Sequence, residues 1–511
     1  MASGAALATG SILVSAGATQ ETEEPERSFE AQRGWSSHHG GIKNSSAIPL
    51  DGWLPAPTSV AWEYDYTGDV AVVDGAVYLR TDGEVHSLEA EDGTVRWESD
   101  DVGAAGTPAV VDDAVYVGGD TVTALEASTG EVRWRAGFES DSEVSVPDPV
   151  VAYETVYVVV DETLYALDRA DGSIRWERES VTLETRDGEK TARFASTPIA
   201  ADEESIYAGV GEAGFVAFDP VTGDEQWTYR ERYPNSTGGY HDDLTVGAGR
   251  LFTGRISDGE EFPVLDVQTG ERVGEVSYRF PLAVTDSARV RAGRHGFGAY
   301  HYDTDYRWSI GGSTDAWGRP IVIDRTVIIA YHPYSSEQPE LYGFDIENGD
   351  ELWSFSLAKL GVEDYKGAMW PDMTYVSDGD ALYVSMRDRI AALRPSEDGD
   401  EDQNNNPPHL LVQAPESIEY REDADPDPDE DGTDFDVTVT NRRNETTTIE
   451  VRLEIGPYDE SVSLELDGGE TDAVHFIVTS RDLGAGEHDW IASANDVTET
   501  GTLIVTDPEE C

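Results

Sequence analysis

The ten residues Leu88-Glu89-Ala90-Glu91-Asp92-Gly93-Thr94-Val95-Arg96-Trp97 recur along the chain and indicate its fold. Good copies occupy residues 125–134, 167–176, 218–227 and 344–353. Two copies are weaker: residues 265–274 end in Gly274 where the others have Trp, and residues 302–308 lack the turn glycine. The final position of the phrase returns every 34 to 51 residues from Trp62 onward. A unit of this length repeated along a chain indicates a repeat architecture.

Each copy follows a lead-in of short apolar runs, such as Thr107-Pro108-Ala109-Val110-Val111-Asp112 followed by residues 114–117. Alternating β-branched and aromatic residues between Asp, Gly and Asn turns predict short antiparallel strands. The turn glycine supplies the positive φ of a tight hairpin. The Trp then falls on the outer strand, where we expect its ring to fill the gap between neighbouring sheets. Four-stranded units repeated in a closed array predict the blades of a β-propeller.

The ends of the repeat region complement each other. Residues 375–394 supply three strands and stop without a Trp, whereas residues 59–64, Ser59-Val60-Ala61-Trp62-Glu63-Tyr64, read as an isolated outer strand. Pairing the two would close the ring and remove an exposed sheet edge. Counting that shared blade, the sequence predicts an eight-bladed β-propeller over residues 33–395.

The repeated phrase and the opening Gly34-Trp35-Ser36-Ser37-His38-His39-Gly40 resemble the pyrroloquinoline-quinone (PQQ) repeat family, especially its BamB-like branch. The resemblance extends over residues 33–395 and implies a propeller of four-stranded blades. It implies less about function, because one propeller frame carries many activities.

A second domain is predicted after the ring. Residues 396–408 are acidic, Asn-rich and end in proline, as a linker would. Residues 434–441 and 448–455 alternate strictly, and further strands fit 461–466, 473–478, 488–493 and 501–505. This spacing predicts a β-sandwich over residues 409–506 and makes the whole chain all-β. The segment resembles immunoglobulin-like surface modules related to CARDB domains.

The charge of the chain excludes some functions. It has 103 Asp and Glu against 35 Lys and Arg, a formal net charge of -68. A nucleic-acid surface must be basic, and an anionic membrane would repel such a chain, so neither partner is expected. The acidic, lysine-poor composition resembles that of proteins from halophilic archaea, and we interpret the charge as adaptation to a salty solvent.

The first 26 residues differ from the rest. A mildly apolar run ends in Ala16-Gly17-Ala18, a small-residue cleavage pattern, and an acidic stretch follows. No Arg or Lys precedes Arg27, so the segment resembles a signal peptide whose basic start is missing. A disordered tail is the alternative. No stretch is apolar enough to span a bilayer, and we expect an extracellular or cell-surface protein.

Comparing the repeats predicts a channel rim. Positions just before each inner strand, and two Trp that precede them, should surround the central channel as a ligand-binding wall or as rings that plug it. These channel-mouth candidates are Asp148, Thr197, His241, Trp317, Arg319, Trp370 and Asp372.

A weak calcium candidate lies in an acidic loop of the predicted second domain. Asp427, Asp429 and Asp431 match the first half of a calcium loop, but Thr438 stands where the bidentate Glu is expected. The quinoprotein dehydrogenases that the repeat resembles use vicinal cysteines, a Trp and calcium around their quinone. This chain has one cysteine, Cys511, so PQQ with calcium is not expected, nor is any other cofactor.

No nucleophile elbow, P-loop or zinc-helix motif is present, and the sequence assigns no reaction. The leading hypothesis is a secreted or cell-surface, non-catalytic propeller that binds a protein or an envelope component. The alternative is a quinone- or metal-dependent sugar or alcohol dehydrogenase.

Overall fold

The structure is a computed structural model. It describes residues 34–49, 54–138, 145–146, 148–185, 188–195, 198–211, 214–230, 243–254, 261–277, 282–293, 296–302, 307–311, 314–333, 340–362, 373–395, 409–413, 415, 417–419, 432–441, 446–466, 471–495 and 497–506.

Strands dominate the described residues up to 395, where the helical elements are two short 3-10 turns, His38–Gly40 and Leu357–Leu360. The strands in chain order are β1 (Gly34–Trp35), β2 (Ala47–Ile48), β3 (Ser59–Tyr64), β4 (Asp69–Val73), β5 (Ala76–Thr81), β6 (Glu84–Glu89), β7 (Val95–Glu98), β8 (Ala104–Val111), β9 (Ala114–Gly119), β10 (Val122–Glu126), β11 (Val132–Ala136), β12 (Val150–Ala152), β13 (Thr155–Val160), β14 (Thr163–Asp168), β15 (Ile174–Arg178), β16 (Val181–Thr185), β17 (Gly188–Ala192), β18 (Ala200–Ala201), β19 (Ile206–Val210), β20 (Gly214–Phe218), β21 (Glu225–Arg230), β22 (Asp243–Gly247), β23 (Arg250–Gly254), β24 (Glu261–Asp266), β25 (Arg272–Ser277), β26 (Leu282–Val284), β27 (Ala288–Gly293), β28 (Gly296–His301), β29 (Arg307–Gly311), β30 (Thr314–Ile323), β31 (Thr326–Pro333), β32 (Glu340–Asp345), β33 (Glu351–Ser356), β34 (Thr374–Ser377), β35 (Leu382–Ser385) and β36 (Ile390–Arg394).

Apart from the β16–β17 hairpin, these strands form sheets built on four antiparallel strands that run in order from an inner to an outer strand. In chain order they are the first sheet (β4–β7, with β1 added beside β4), the second (β8–β11), the third (β12–β15), the fourth (β18–β21), the fifth (β22–β25), the sixth (β26–β29), the seventh (β30–β33, with β2 added beside β30) and the closing sheet (β34, β35, β36, β3). Their middle strands are buried on both faces. In outer strands such as β7, β11 and β15 the Trp is buried and most of the other residues are exposed.

Hydrophobic clusters join each sheet to the next. One cluster combines Val73 and Tyr78 of the first sheet with Val110 and Val115 of the second. Equivalent clusters link the second sheet to the third, the third to the fourth, the fourth through the sixth, and the sixth to the seventh. A further cluster contains residues of the seventh, closing and first sheets together. The contacts therefore run in a closed circuit, and the fold is consistent with a β-propeller.

The predicted ring closure is confirmed. Strand β3 pairs antiparallel with β36, with Ser59 opposite Arg394 and Tyr64 opposite Ile390. The first outer strand of the chain thus completes the last sheet. The residues it joins lie more than 300 positions apart, so closure has a large entropic cost that burial of the seam offsets.

The outer-strand Trp rings fill the gaps between sheets, as the sequence predicts, and six of them rest on the turn glycine of the following sheet. A Cβ built on that glycine would lie only 2.4–2.7 Å from a Trp ring atom at six joints. The six glycines also have φ of +66° to +79°, which disfavours any residue with a side chain. The joints are Trp62 on Gly93, Trp97 on Gly130, Trp134 on Gly172, Trp176 on Gly223, Trp227 on Gly270 and Trp308 on Gly349.

A hydrogen bond completes each joint. The indole Nε1 donates across the gap to a backbone carbonyl of the next sheet at 2.7–3.3 Å. Burial of a large ring is thus combined with satisfaction of its one polar atom.

The same joint explains the two weak copies of the phrase. Gly274 lies opposite Val264 in the register that the Trp occupies in other sheets, so the fifth sheet has no ring to place on the sixth. The sixth copy is also the one without the turn glycine. The Trp missing from the fifth sheet and the glycine missing from the sixth are the two partners of a single joint. Tyr302 packs there instead, 6.3 Å from the Phe252 ring and beneath the Arg250 guanidinium at 4.6 Å.

The hairpin of β16 and β17 was not anticipated from the sequence. It follows the third sheet and places Leu183 and Ala192 against the core that the third and fourth sheets share. Its polar residues, including Glu189 and Lys190, are exposed.

The described residues from 409 onward form two more sheets that share a hydrophobic core. Phe435 and Phe476 from one sheet pack in the same cluster as Leu453, Trp490 and Leu503 from the other. One sheet has the strand order β37-β39-β42 and the other β38-β44-β43-β40-β41. The elements are β37 (His409–Gln413), β38 (Ser417–Glu419), β39 (Gly432–Thr440), β40 (Thr447–Ile455), β41 (Tyr458–Leu466), β42 (Thr471–Thr479), helix α1 (Ser480–Leu483), β43 (Gly486–Ala494) and β44 (Val497–Thr506).

Candidate functional site

The segment of residues 34–49, here called the plug, lies at the centre of the ring. Its ends pair as β1 with β4 and as β2 with β30. Between them, its carbonyl oxygens accept hydrogen bonds of 2.8–2.9 Å from inner-strand amides of the second, fourth, fifth, sixth and seventh sheets. The donors are the amides of Val110, Ala201, Val246, Val284, Val322 and Asp324. The plug therefore binds the inner strands of six sheets.

Asn44 holds the plug in its tight course. It has φ of +50°, which Asn tolerates better than most residues. Its buried amide donates to the carbonyls of Ile199 at 3.0 Å and Leu244 at 3.1 Å, in the fourth and fifth sheets. A buried amide group bonded to two sheets ties the plug to both.

Two predicted channel-mouth residues, Asp148 and Arg319, meet the plug at its histidine pair. The rings of His38 and His39 lie 3.6 Å apart, and His38 Nδ1 is 3.7 Å from Asp148 Oδ1. Burial lowers the pKa of His39 well below its ordinary value of 6.5, and the nearby Arg319 charge and His38 lower it further. The Arg319 guanidinium also donates to the Leu282 carbonyl at 3.0 Å. These side chains hold the plug and join the third, sixth and seventh sheets.

Proline positions these candidates. Asp148 and Arg319 each precede a Pro, which favours extended backbone at the preceding residue and cannot donate to a sheet ladder. Asp148 lies before β12, as predicted, and its carboxylate accepts the amide of Thr107. Arg319 lies inside β30 rather than before it, at a register shift between Trp317 and Ile321. The shift interrupts the pairing and explains why the sequence predicts a boundary there.

The other predicted site residues cannot be placed in this arrangement. For Trp317, the structure describes only its backbone in β30. The remaining candidates lie outside the described residues: Thr197, His241, Trp370, Asp372, Asp427, Asp429 and Asp431.

A pocket of about 740 Å³ lies on the other side of the plug. Asp112, Glu154 and Asp324 in its wall follow the inner strands β8, β12 and β30, whereas Asp148 precedes β12, so the pocket is at the opposite channel end. The plug contributes Ile42, Lys43, Ser45 and Ala47. Sequence reasoning missed this site. The signal was the acidic residue in the turn that follows most of the inner strands.

Ion pairs already occupy one side of the pocket. Arg169 contacts Asp112 at 2.5 Å and Glu154 at 2.9 Å, which joins the second and third sheets. Lys43 of the plug contacts Glu203 of the fourth sheet at 2.8 Å. Partial burial would raise the pKa of Glu203, but the hydrogen bond and charge of Lys43 outweigh it and lower the pKa.

Within the described ranges, no group of three or more His, Cys, Asp or Glu side chains is arranged to hold a metal ion. Over the same ranges, no helix has the length and apolar character needed to cross a membrane.

Comparison with known proteins supports the repeat assignment. Residues 32–273 match a family model described as outer membrane protein assembly factor BamB. The chain is 29% identical over 191 residues to the outer membrane protein assembly factor BamB of Burkholderia pseudomallei, covering 36% of this chain and 45% of that protein. It is 31% identical over 186 residues to the serine/threonine-protein kinase AfsK of Streptomyces griseus, covering 32% and 22%. The chain thus spans less than half the length of these curated relatives.

Among solved structures, quinohemoprotein alcohol dehydrogenase from Comamonas testosteroni superposes with a TM-score of 0.50 at 14% identity, covering 76% of this chain and 83% of that one. At this identity the likeness concerns the fold alone. The described sheets, the Trp–Gly joints and the matched segment together support the resemblance: residues 32–273 are similar to the repeats of the PQQ and BamB-like family.

Proposed function

We propose that this protein is a non-catalytic, eight-bladed propeller scaffold of the cell surface or envelope that binds a protein or another envelope component. The observation that carries this proposal is the plug. It binds the inner strands of six sheets and leaves an open pocket at one channel end. A channel closed by the chain itself suits presentation of a surface to a partner better than a reaction inside the funnel.

The proposed architecture has eight blades over residues 33–395, a linker at 396–408 and an immunoglobulin-like sandwich at 409–506. Each sheet of the circuit counts as one blade, with β3 completing the eighth. The shared core of Phe435, Phe476 and Trp490 supports a sandwich. We also propose a salt-adapted protein, because 103 Asp and Glu against 35 Lys and Arg give the chain a formal net charge of -68.

Export is part of the proposal. The BamB relatives are named as outer membrane assembly factors, which suggests a location outside the cytoplasm. Residues 1–26 have the composition of the later part of a signal peptide. Identification of the mature N-terminus by mass spectrometry tests this: cleavage after Ala18 supports export, and a retained Met1 in the cell interior contradicts it.

The residues present do not fit a quinone. A quinone in the channel would compete with a plug that six sheets hold, and Asp148 and Arg319 already face its histidines, His38 and His39. The chain also has no second cysteine to accompany Cys511. We therefore propose that no PQQ or calcium serves this channel. Asp427, Asp429 and Asp431 remain a separate, weak calcium candidate, which calorimetric titration of the full chain with calcium tests.

The scaffold proposal is tested with the full chain immobilised and exposed to solubilised envelope extract, followed by reciprocal capture with the recovered partner. A parallel assay measures dye reduction with alcohols and sugars after addition of PQQ and calcium. A partner recovered in both directions without dye reduction supports the scaffold. Dye reduction that depends on the quinone, with no specific partner, overturns it in favour of a dehydrogenase.

A further inference from the structure

The pocket opposite the histidine pair has an apolar floor beneath an acidic rim. Plug residues Ile42, Ala47 and Ile48 form the floor with inner-strand residues such as Val151 and Val284. Its volume of about 740 Å³ is within the range of about 300–1,000 Å³ typical of ligand pockets. An apolar floor at a channel end that also faces solvent is suited to aliphatic side chains of a binding partner.

The rim repeats one chemical feature from sheet to sheet. A carboxylate follows the inner strand in five sheets: Asp112, Glu154, Glu203, Asp286 and Asp324. Acidic residues are frequent over the whole chain, so charge alone does not distinguish this end. The distinguishing feature is that these carboxylates surround a concave apolar surface, where like charges add and attract a cation.

Basic side chains of this protein already pair with some of the rim carboxylates. Arg169 and Lys43 pair with the acids of the second, third and fourth sheets. They are the only Lys and Arg among the pocket residues that the structure describes. On the side of the sixth sheet, Asp286 is exposed and is flanked by the hydroxyl groups of Thr285 and Ser287. A cationic side chain from outside would complete the pattern there.

We infer that this pocket binds an extended peptide segment in which a Lys or Arg lies beside aliphatic side chains. The cationic group contacts Asp286 while the aliphatic neighbours cover the floor formed by the plug. This inference rests on the proposed scaffold function and names the chemistry of its partner. A free polyamine would satisfy the rim and leave the floor exposed.

The probe is a fluorescein-labelled hexapeptide of alternating Leu and Arg, capped at both ends, titrated against the full chain by fluorescence anisotropy. Two control peptides replace every Arg by Gln or every Leu by Ser. We expect each control to bind at least fivefold more weakly, and spermidine to compete poorly. Equal binding of the Ser–Arg peptide would mean attraction to general surface charge and would overturn the inference.

Two variants locate the binding. Asp286→Asn should weaken the Leu–Arg peptide about fivefold, the upper range for an exposed ion pair, and Ser287→Trp at the exposed rim should block the pocket. Asp100→Asn is the matched control, because Asp100 is an exposed acid outside the pocket. Unchanged binding in both pocket variants, or no binding to folded protein, overturns the inference.

The two proposals fail separately. If an envelope partner is captured equally by the wild type and by Ser287→Trp, the scaffold stands and the pocket inference is wrong. If the Leu–Arg peptide binds as expected but no envelope partner is captured, the pocket inference stands and the scaffold proposal is wrong.

Discussion

Replacing Gly130 by alanine should loosen the joint between the first and second sheets far more than a change of backbone preference alone. Gly130 has φ of +73°, and an added Cβ would lie 2.4 Å from the Trp97 ring. Gly75 is a matched control, because it also has φ of +73° but nothing lies within 4 Å of its added Cβ. The two substitutions therefore share the backbone strain and differ in the ring contact.

The magnitudes follow from these two contributions. An alanine in the left-handed region costs about 1–2 kcal/mol, partly offset by about 0.4–1 kcal/mol because alanine restricts the unfolded chain. Gly75→Ala should therefore cost about 1 kcal/mol. Gly130→Ala must also displace the Trp97 ring, and forced overpacking of this kind adds about 1–3 kcal/mol.

The assay is hydrogen exchange followed by mass spectrometry, because it reports opening strand by strand, whereas a chain of this length has no single well-defined unfolding midpoint. Exchange in β10 and β11 should accelerate about 5- to 160-fold more in Gly130→Ala than exchange in β4 and β5 does in Gly75→Ala, which is the ring contribution of about 1–3 kcal/mol expressed as a ratio. In a Trp97→Ala background, Gly130→Ala should accelerate exchange only about as much as Gly75→Ala does in the wild type, because the ring that the added Cβ would displace is absent. Equal effects of the two glycine substitutions would refute the role assigned to the ring.

Three further predictions concern the seam, the plug and a buried carboxylate. Trp62→Ala should cost about 3–5 kcal/mol and accelerate exchange in both β36 and β6, because the ring and its bond to Ala90 join the closing and first sheets; loosening of β3 alone would contradict this. Protonation of His39 is disfavoured in the folded protein, so stability should fall as the pH drops below about 6.5, by at most about 1.4 kcal/mol per pH unit. Asn tolerates the positive φ, so the thermal midpoint of His39→Asn should change less between pH 7.5 and 5 than that of the wild type. An equal change in both proteins would argue against this role of His39. Tyr207→Phe removes a 2.7 Å bond to the buried Asp202 carboxylate and should cost about 1.5–3 kcal/mol; unchanged exchange in the fourth sheet would show that the bond is dispensable.

Much of the fold was predictable because its main signals are local. The turn glycine and the Trp lie within one ten-residue phrase, and strand alternation repeats over a few residues. The contact between each Trp and the next turn glycine could also have been inferred from the sequence. The fifth copy lacks the Trp, with Gly274 in its place, and the sixth copy lacks the glycine on which that Trp would rest. The hairpin of β16 and β17 escaped prediction because nothing in its polar sequence shows that Leu183 packs against a neighbouring sheet.

The candidate site was predictable only in part. Asp148 and Arg319 could be identified as equivalent positions in the repeat, but not their meeting at His38 and His39. The pocket was missed because its wall collects single residues from sheets far apart in the chain, together with the plug.

The sequence by itself determined the repeating sheets, the closing strand and the placing of Trp rings between sheets, because each follows from residues within one repeat or from the complementary ends of the ring. Only the tertiary structure decided what occupies the centre. Asn44 reaches the carbonyl of Leu244, 200 residues away, and no local pattern encodes a contact at that separation. Closing the ring brings the inner strands together, and their free amides then bind the plug.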